Sequence, residues 1–180
     1  MLRTARAFVV GATVLIGAGC TVAVVETPDP AAIPSGEPVA EGAQATGPIT
    51  VLGSGQMLGL GWRYAMYESA DGWCTQLEMV ELTATGCGDP LPAGGDHIGG
   101  VSVGNLSGGV TTIDGIVTEE IFTVWIVDQN VGRIPATLLP LDEAGLEGQA
   151  FVAFMPADTT PTHVQALALS GEVLDTYEVP

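Results

Sequence analysis

The stretch IVTEEIFTVWIV, residues 116–127, decides how this chain is read. β-Branched and aromatic side chains dominate it, and these pack well on a pleated surface while losing rotamer freedom in a helix. Asp128, Gln129 and Asn130 close it, and Asp and Asn favour turns by bonding to nearby backbone. The stretch therefore reads as one strand ending in a turn.

The same grammar recurs on either side. Downstream, ATLLPL (136–141), GQAFVAFM (148–155), THVQALAL (162–169) and EVLDTYEV (172–179) are short apolar runs, the last two joined by a tight turn at Ser170-Gly171. Residues 143–147 supply at most one turn of helix. Upstream, ITVLG (49–53) reads as a first strand. GWRYAMYES (61–69) and WCTQLEMVELTAT (73–85) form a hairpin about Asp71-Gly72. Both parities of 61–69 carry apolar groups, so its outward face is ambiguous. Residues 89–109 are glycine-rich and read as a long loop holding at most one short strand, around Val101–Val103.

Short strands with regular turn signals and no sustained helical period predict an all-β domain over residues 49–180. The expected form is a single β-sandwich, Ig-like or similar, or a small barrel. About 130 residues are enough for one domain with its own core. No internal repeat is secure.

Ahead of this domain, residues 26–48 are rich in Pro, Ala, Gly and Glu and lack aromatics. Such a segment buries too little surface to offset its ordering entropy, so residues 20–48 read as a flexible tether. The extreme N-terminus has Arg3 and Arg6 followed by AFVVGATVLIGAG (7–19) and then Cys20. A short basic head, a compact apolar run and small residues before a cut site mark a secretory signal. Cys20 directly after Gly17-Ala18-Gly19 resembles the bacterial lipoprotein signal. That resemblance implies cleavage after residue 19, a diacylglycerol thioether on Cys20, and attachment to the outer face of the cell membrane. The alternative keeps the segment uncut as a single N-terminal anchor, because apolar character persists through Val25 and approaches the ~20 residues that span a bilayer.

Charge narrows the partners. There are 4 Lys+Arg against 21 Asp+Glu, a formal charge of −17. No lysine is present, and beyond the signal only Arg63 and Arg133 are permanent side-chain cations. Such a surface repels phosphate backbones, which excludes nucleic acid. Nucleotide binding through a Walker lysine is excluded as well. A cell-envelope protein or glycan is the expected partner, with the membrane engaged through the lipid.

Two cysteines remain in the exported part, Cys74 and Cys87, and an even pair in an oxidising compartment predicts a disulfide. Trp73-Cys74, Gly86-Cys87-Gly88 and the terminal hairpin together resemble exported proteins of actinobacteria, a likeness that implies no activity.

Candidate sites are few. Asp96 and His97 lie in a glycine-rich loop where a base and its orienter would suit hydrolysis, with Ser102 or Ser107 as nucleophile by proximity alone. His97 with His163 lacks any zinc-site spacing. Asp128, Asn130, Asp89 and Asp114 offer oxygen donors for weak calcium binding, and no other cofactor is expected. Trp62, Tyr64 and Trp73, with Asp96 and His97, are the expected ligand contacts, because exposed rings give rigid contact area. The leading expectation is a non-enzymatic binding domain. Hydrolysis at the Asp96/His97 loop and a purely structural envelope role are the alternatives.

Overall fold

Turn residues cut the chain into hairpins, and a computed structural model shows how these stack. It describes residues 32–40, 42–79, 82–88, 92, 94–106, 109–156 and 158–180. The expected signal peptide (1–19), Cys20 and the alternative membrane span lie outside the described residues. No helix among the described residues is long and apolar enough to cross a membrane.

Strands β1 (Thr50–Met57), β2 (Leu60–Ser69), β3 (Gly72–Met79) and β4 (Leu82–Gly88) form an antiparallel meander, sheet A. Leu58 and Gly59 turn β1 into β2 with positive φ at both residues (53° and 76°), the geometry of a two-residue hairpin loop. Sheet B has the order β5 (Ile98–Leu106), β6 (Val110–Val117), β10 (Gln149–Pro156), β9 (Thr137–Pro140). Sheet C runs β12 (Val173–Glu178), β11 (Pro161–Leu167), β7 (Thr123–Asp128), β8 (Gly132–Pro135). Every pairing is antiparallel, and no sheet closes into a barrel. A 3-10 turn, Asp142–Ala144, joins β9 to β10 at the place where one turn of helix is expected.

The result is a β-sandwich of three layers, with sheet B in the middle. One face of sheet B carries Ile113, Val117, Phe151, Ala153 and Met155 into a core shared with Val124, Ile126, Val164 and Ala166 of sheet C. The other face carries Ile116, Ala150, Val152 and Phe154 against Trp62, Tyr64, Met66 and Leu77 of sheet A. A strand buried on both faces needs apolar side chains at both parities, which is why AFVAFM (150–155) shows no alternation. Sheets B and C also share a topological two-fold: exchanging β5 with β9, β6 with β10, β7 with β11 and β8 with β12 leaves both strand orders unchanged.

Three details differ from the sequence reading. Residues 116–127 are two strands in two sheets, because Glu119 and Glu120 form a turn that carries the chain from sheet B to sheet C. Residues 73–85 are likewise divided between β3 and β4. The glycine-rich passage contains β5, a nine-residue strand rather than a short one.

The second face of sheet A is also buried. Arg63, Ala65 and Tyr67 of β2 and Cys74, Gln76 and Glu78 of β3 are all at most 9% exposed. Residues 32–40 and 42–46 of the segment read as a tether cross this face. Arg63 Nη1 donates to the Gly36 carbonyl at 2.6 Å, and Gln76 Nε2 to the Val39 carbonyl at 2.9 Å. Ala45 bridges Ser69, and the Thr46 N–H reaches the Glu68 carbonyl at 2.8 Å. Beneath the segment, Arg63 Nε donates to Glu78 Oε2 at 2.7 Å, with Nη2 on the same oxygen. Gln76 adds a bond to Glu78 Oε1 at 2.6 Å. Both parities of β2 are apolar because both faces are covered.

Candidate functional site

His97 precedes β5, held where three elements meet. Its backbone N–H, and that of Ile98, donate to Asp175 Oδ2 of β12 at 2.8 and 3.1 Å. Its ring Nδ1 meets Thr118 Oγ1 at 3.0 Å and Glu120 Oε1 at 3.0 Å. A relay from acid through imidazole to nucleophile needs the two partners on opposite ring nitrogens. Here hydroxyl and carboxylate address the same nitrogen, so the cluster ties the β6–β7 turn to the start of β5. Ser107 lies outside the described residues. His163 Nδ1 contacts the neighbouring Thr162 hydroxyl at 2.9 Å, and no group of three metal-ligating side chains occurs among the described residues.

The acidic turn at Asp128 is committed to the backbone. Oδ1 accepts the N–H groups of Asn130 and Val131, each at 2.8 Å, and Oδ2 accepts that of Thr160. Burial alone would raise the Asp128 pKa, but these three donors outweigh it and hold the carboxyl below its usual range. Asp89 lies outside the described residues, and Asp114 is inside β6 rather than in a turn.

The aromatic residues divide. Trp62 and Tyr64 are buried between sheets A and B, with the Trp62 ring 5.7 Å from that of Phe154. Trp73 is half-buried and lines a cleft of about 220 Å³ with Thr75, Gly86, Cys87, Gly88, Gly100, Val101 and Ser102.

This cleft has a clear physical origin. It lies where β4, an outer strand of sheet A, passes β5, an outer strand of sheet B. Gly86 and Gly88 stand opposite Thr75 and Trp73 in the β3–β4 ladder, so β4 presents no side chain there. A Cβ placed on Gly86 would meet only Thr75 Oγ1, at 3.9 Å. On the facing strand, the β5–β6 register slips between Gly99 and Ser102. A bulge of this kind takes its extra residue off the ladder and re-aims nearby side chains. The Cys74–Cys87 disulfide links directly opposed residues of β3 and β4, 4.1 Å apart at Cα, and holds the glycine-bearing edge in register. Cys87 is thus a strand residue, not part of a loop beyond the hairpin.

Behind the cleft lies a polar pair, Tyr64 and Asp114, whose meeting the sequence did not foresee. Asp114 is directly opposite Ser102 in the β5–β6 ladder, so both side chains face sheet A. From sheet A, Tyr64 Oη donates to Asp114 Oδ2 at 2.8 Å across the interlayer core. Burial pushes the Asp114 carboxyl up to about 6, and the Tyr64 hydrogen bond offsets only part of that. Tyr64 is itself raised well above its ordinary value, by burial first and by the Asp114 charge second. Among the described residues Asp114 has no cationic partner. One weak signal was available: an Asp at the centre of TTIDGIV, surrounded by β-branched residues, is out of place unless it is bonded.

Comparisons with known protein families, with curated proteins and with solved structures yield no match.

Proposed function

We propose that this chain is an exported lipoprotein, anchored through Cys20 at the outer face of the cell membrane, whose β-domain binds an envelope partner in the β4–β5 cleft. The observation that carries the binding reading is the cleft itself. It is kept open by glycines at a sheet corner, lined by a half-buried tryptophan and two hydroxyl side chains, and braced by a disulfide. Clefts with a mainly apolar wall and a few convergent polar groups are the usual form of ligand sites. Binding is favoured over hydrolysis because Thr118 and Glu120 share one nitrogen of His97, an arrangement suited to fastening a turn.

The test is photo-crosslinking in the native membrane. A benzophenone side chain placed at Glu68, exposed at the mouth of the cleft opposite Trp73, should give a discrete adduct. The same group at Leu169, exposed in the β11–β12 connection, should not. Identical adducts at both positions, or none at residue 68, would remove the cleft as the binding site.

A further inference from the structure

Resting on the reading of the cleft as a binding site, we propose that it receives a lysine or arginine side chain of a partner protein, whose cationic head is taken by Asp114. Three observations converge on this.

The first is an uncompensated charge. A buried carboxylate is normally paired, because removing it from water costs several kcal/mol. Asp114 has the Tyr64 hydroxyl and, among the described residues, no cation.

The second is access. Ser102, its partner across the ladder, lines the cleft, as does Thr75, which bonds to Tyr64. Asp114 does not itself line the cleft, so a cation reaching it has to pass the Ser102 and Thr75 hydroxyls, which can accept from an ammonium or guanidinium. Trp73 and Val101 form the apolar part of the wall, suited to an alkyl stem, and an indole face attracts a cation passing over it.

The third is the surrounding field. Residues 20–180 carry 2 Arg, Arg63 and Arg133, against 21 Asp+Glu. Arg63 is already held by Glu78 on the far face of sheet A. Glu68, exposed opposite Trp73 at the end of β2, adds negative charge at the rim. The titratable groups facing the interlayer space around Asp114 are Tyr64 of β2 and, at that rim, Glu68. The ladder neighbours of Asp114 on β5 and β10 are Ser102 and Val152, and Thr75 of β3 bonds to Tyr64.

The test uses the full chain in detergent micelles, titrated by NMR with Nα-acetyl-lysine methylamide, its arginine counterpart and the uncharged norleucine analogue. The two cationic probes should saturate with shifts centred on Thr75, Ser102 and Asp114, and the norleucine analogue should bind at least tenfold more weakly. Asp114→Asn should weaken the cationic probes at least tenfold. Gly86→Val, which fills the cleft without meeting backbone, should abolish binding while the protein stays folded. Because Asp114 ionises at about 6, binding at pH 5 should be about tenfold weaker than at pH 7.5. Equal binding of norleucine, or indifference to Asp114→Asn, would overturn the proposal. Tighter binding of cadaverine than of either amino-acid probe would replace the protein partner by a free diamine and overturn it equally. A discrete crosslink from residue 68 without any binding of the cationic probes would leave the cleft as the binding site and sink only this assignment.

Discussion

Replacing Asp114 by Asn should make the protein more stable at neutral and alkaline pH, and the gain should disappear in acid. The folded-state pKa is raised from 3.8 to about 6. A carboxyl shifted upward contributes stability that is fully present below pH 3.8 and is lost as pH rises through 6. That shift corresponds to about 3 kcal/mol at 1.36 kcal/mol per unit, and Asp114 is buried enough that solvent screening removes little of it. Asn keeps an oxygen for the Tyr64 hydroxyl but carries no charge. The assay is urea unfolding of wild type and variant, disulfide intact, at pH 4, 6 and 8. Only the difference between the two proteins is read, so that the other carboxylates cancel. The variant should gain about 2.4 kcal/mol relative to wild type between pH 4 and pH 8, the remainder of the shift being expressed below pH 4. A difference that does not change with pH, or one that favours the variant more in acid, would refute the assignment of Asp114 as a buried, unpaired carboxylate. Tyr64→Phe offers a sign check. Removing the phenol takes away the one contribution that lowers the Asp114 pKa, so the transition should move to higher pH.

Other outcomes follow from the same structure. Replacing Cys74 and Cys87 together with Ser should cost about 3 kcal/mol of unfolding free energy, from the short loop they close, and should loosen the cleft; chemical denaturation measures it. Arg63→Ala should cost about 3–5 kcal/mol by stranding Glu78, whereas Arg63→Met with Glu78→Leu should cost much less in the same assay. Gly86→Val should leave the thermal midpoint unchanged or raise it, because a β-branched residue replaces glycine in a strand with open space beside it. A large fall in melting temperature would mean that the corner is packed rather than open.

How much of this was legible in the sequence depends on how local each signal was. The all-β class, the turns near Asp71 and Ser170 (each centred one residue earlier than read, at Ala70-Asp71 and Leu169-Ser170) and the disulfide are each encoded within a few residues or by a single pair. The three layers are not. Their trace is the lack of alternation in GWRYAMYES and AFVAFM, which marks strands covered on both sides, but apolar runs alone do not say what covers them. The segment over the second face of β2 shows no periodicity because side chains of sheet A grip its carbonyl groups, which any sequence possesses. Strand β5 was hidden by its glycines, which weaken strand propensity and, at this outer strand, accompany the bulge that shapes the cleft. Tyr64 and Asp114 are 50 residues apart and meet only through the stacking of two sheets. Trp73 was visible as a candidate contact, while Trp62, equally visible, proved to be core.

The central claim, an exported binding domain held at the membrane by a lipid, is tested most directly by the intact mass of the protein recovered from its native membrane, beside a Cys20→Ala variant. A species beginning at Cys20 and carrying diacylglycerol is expected, absent from the variant. A mass beginning at Met1, unmodified and unaffected by the substitution, would contradict it.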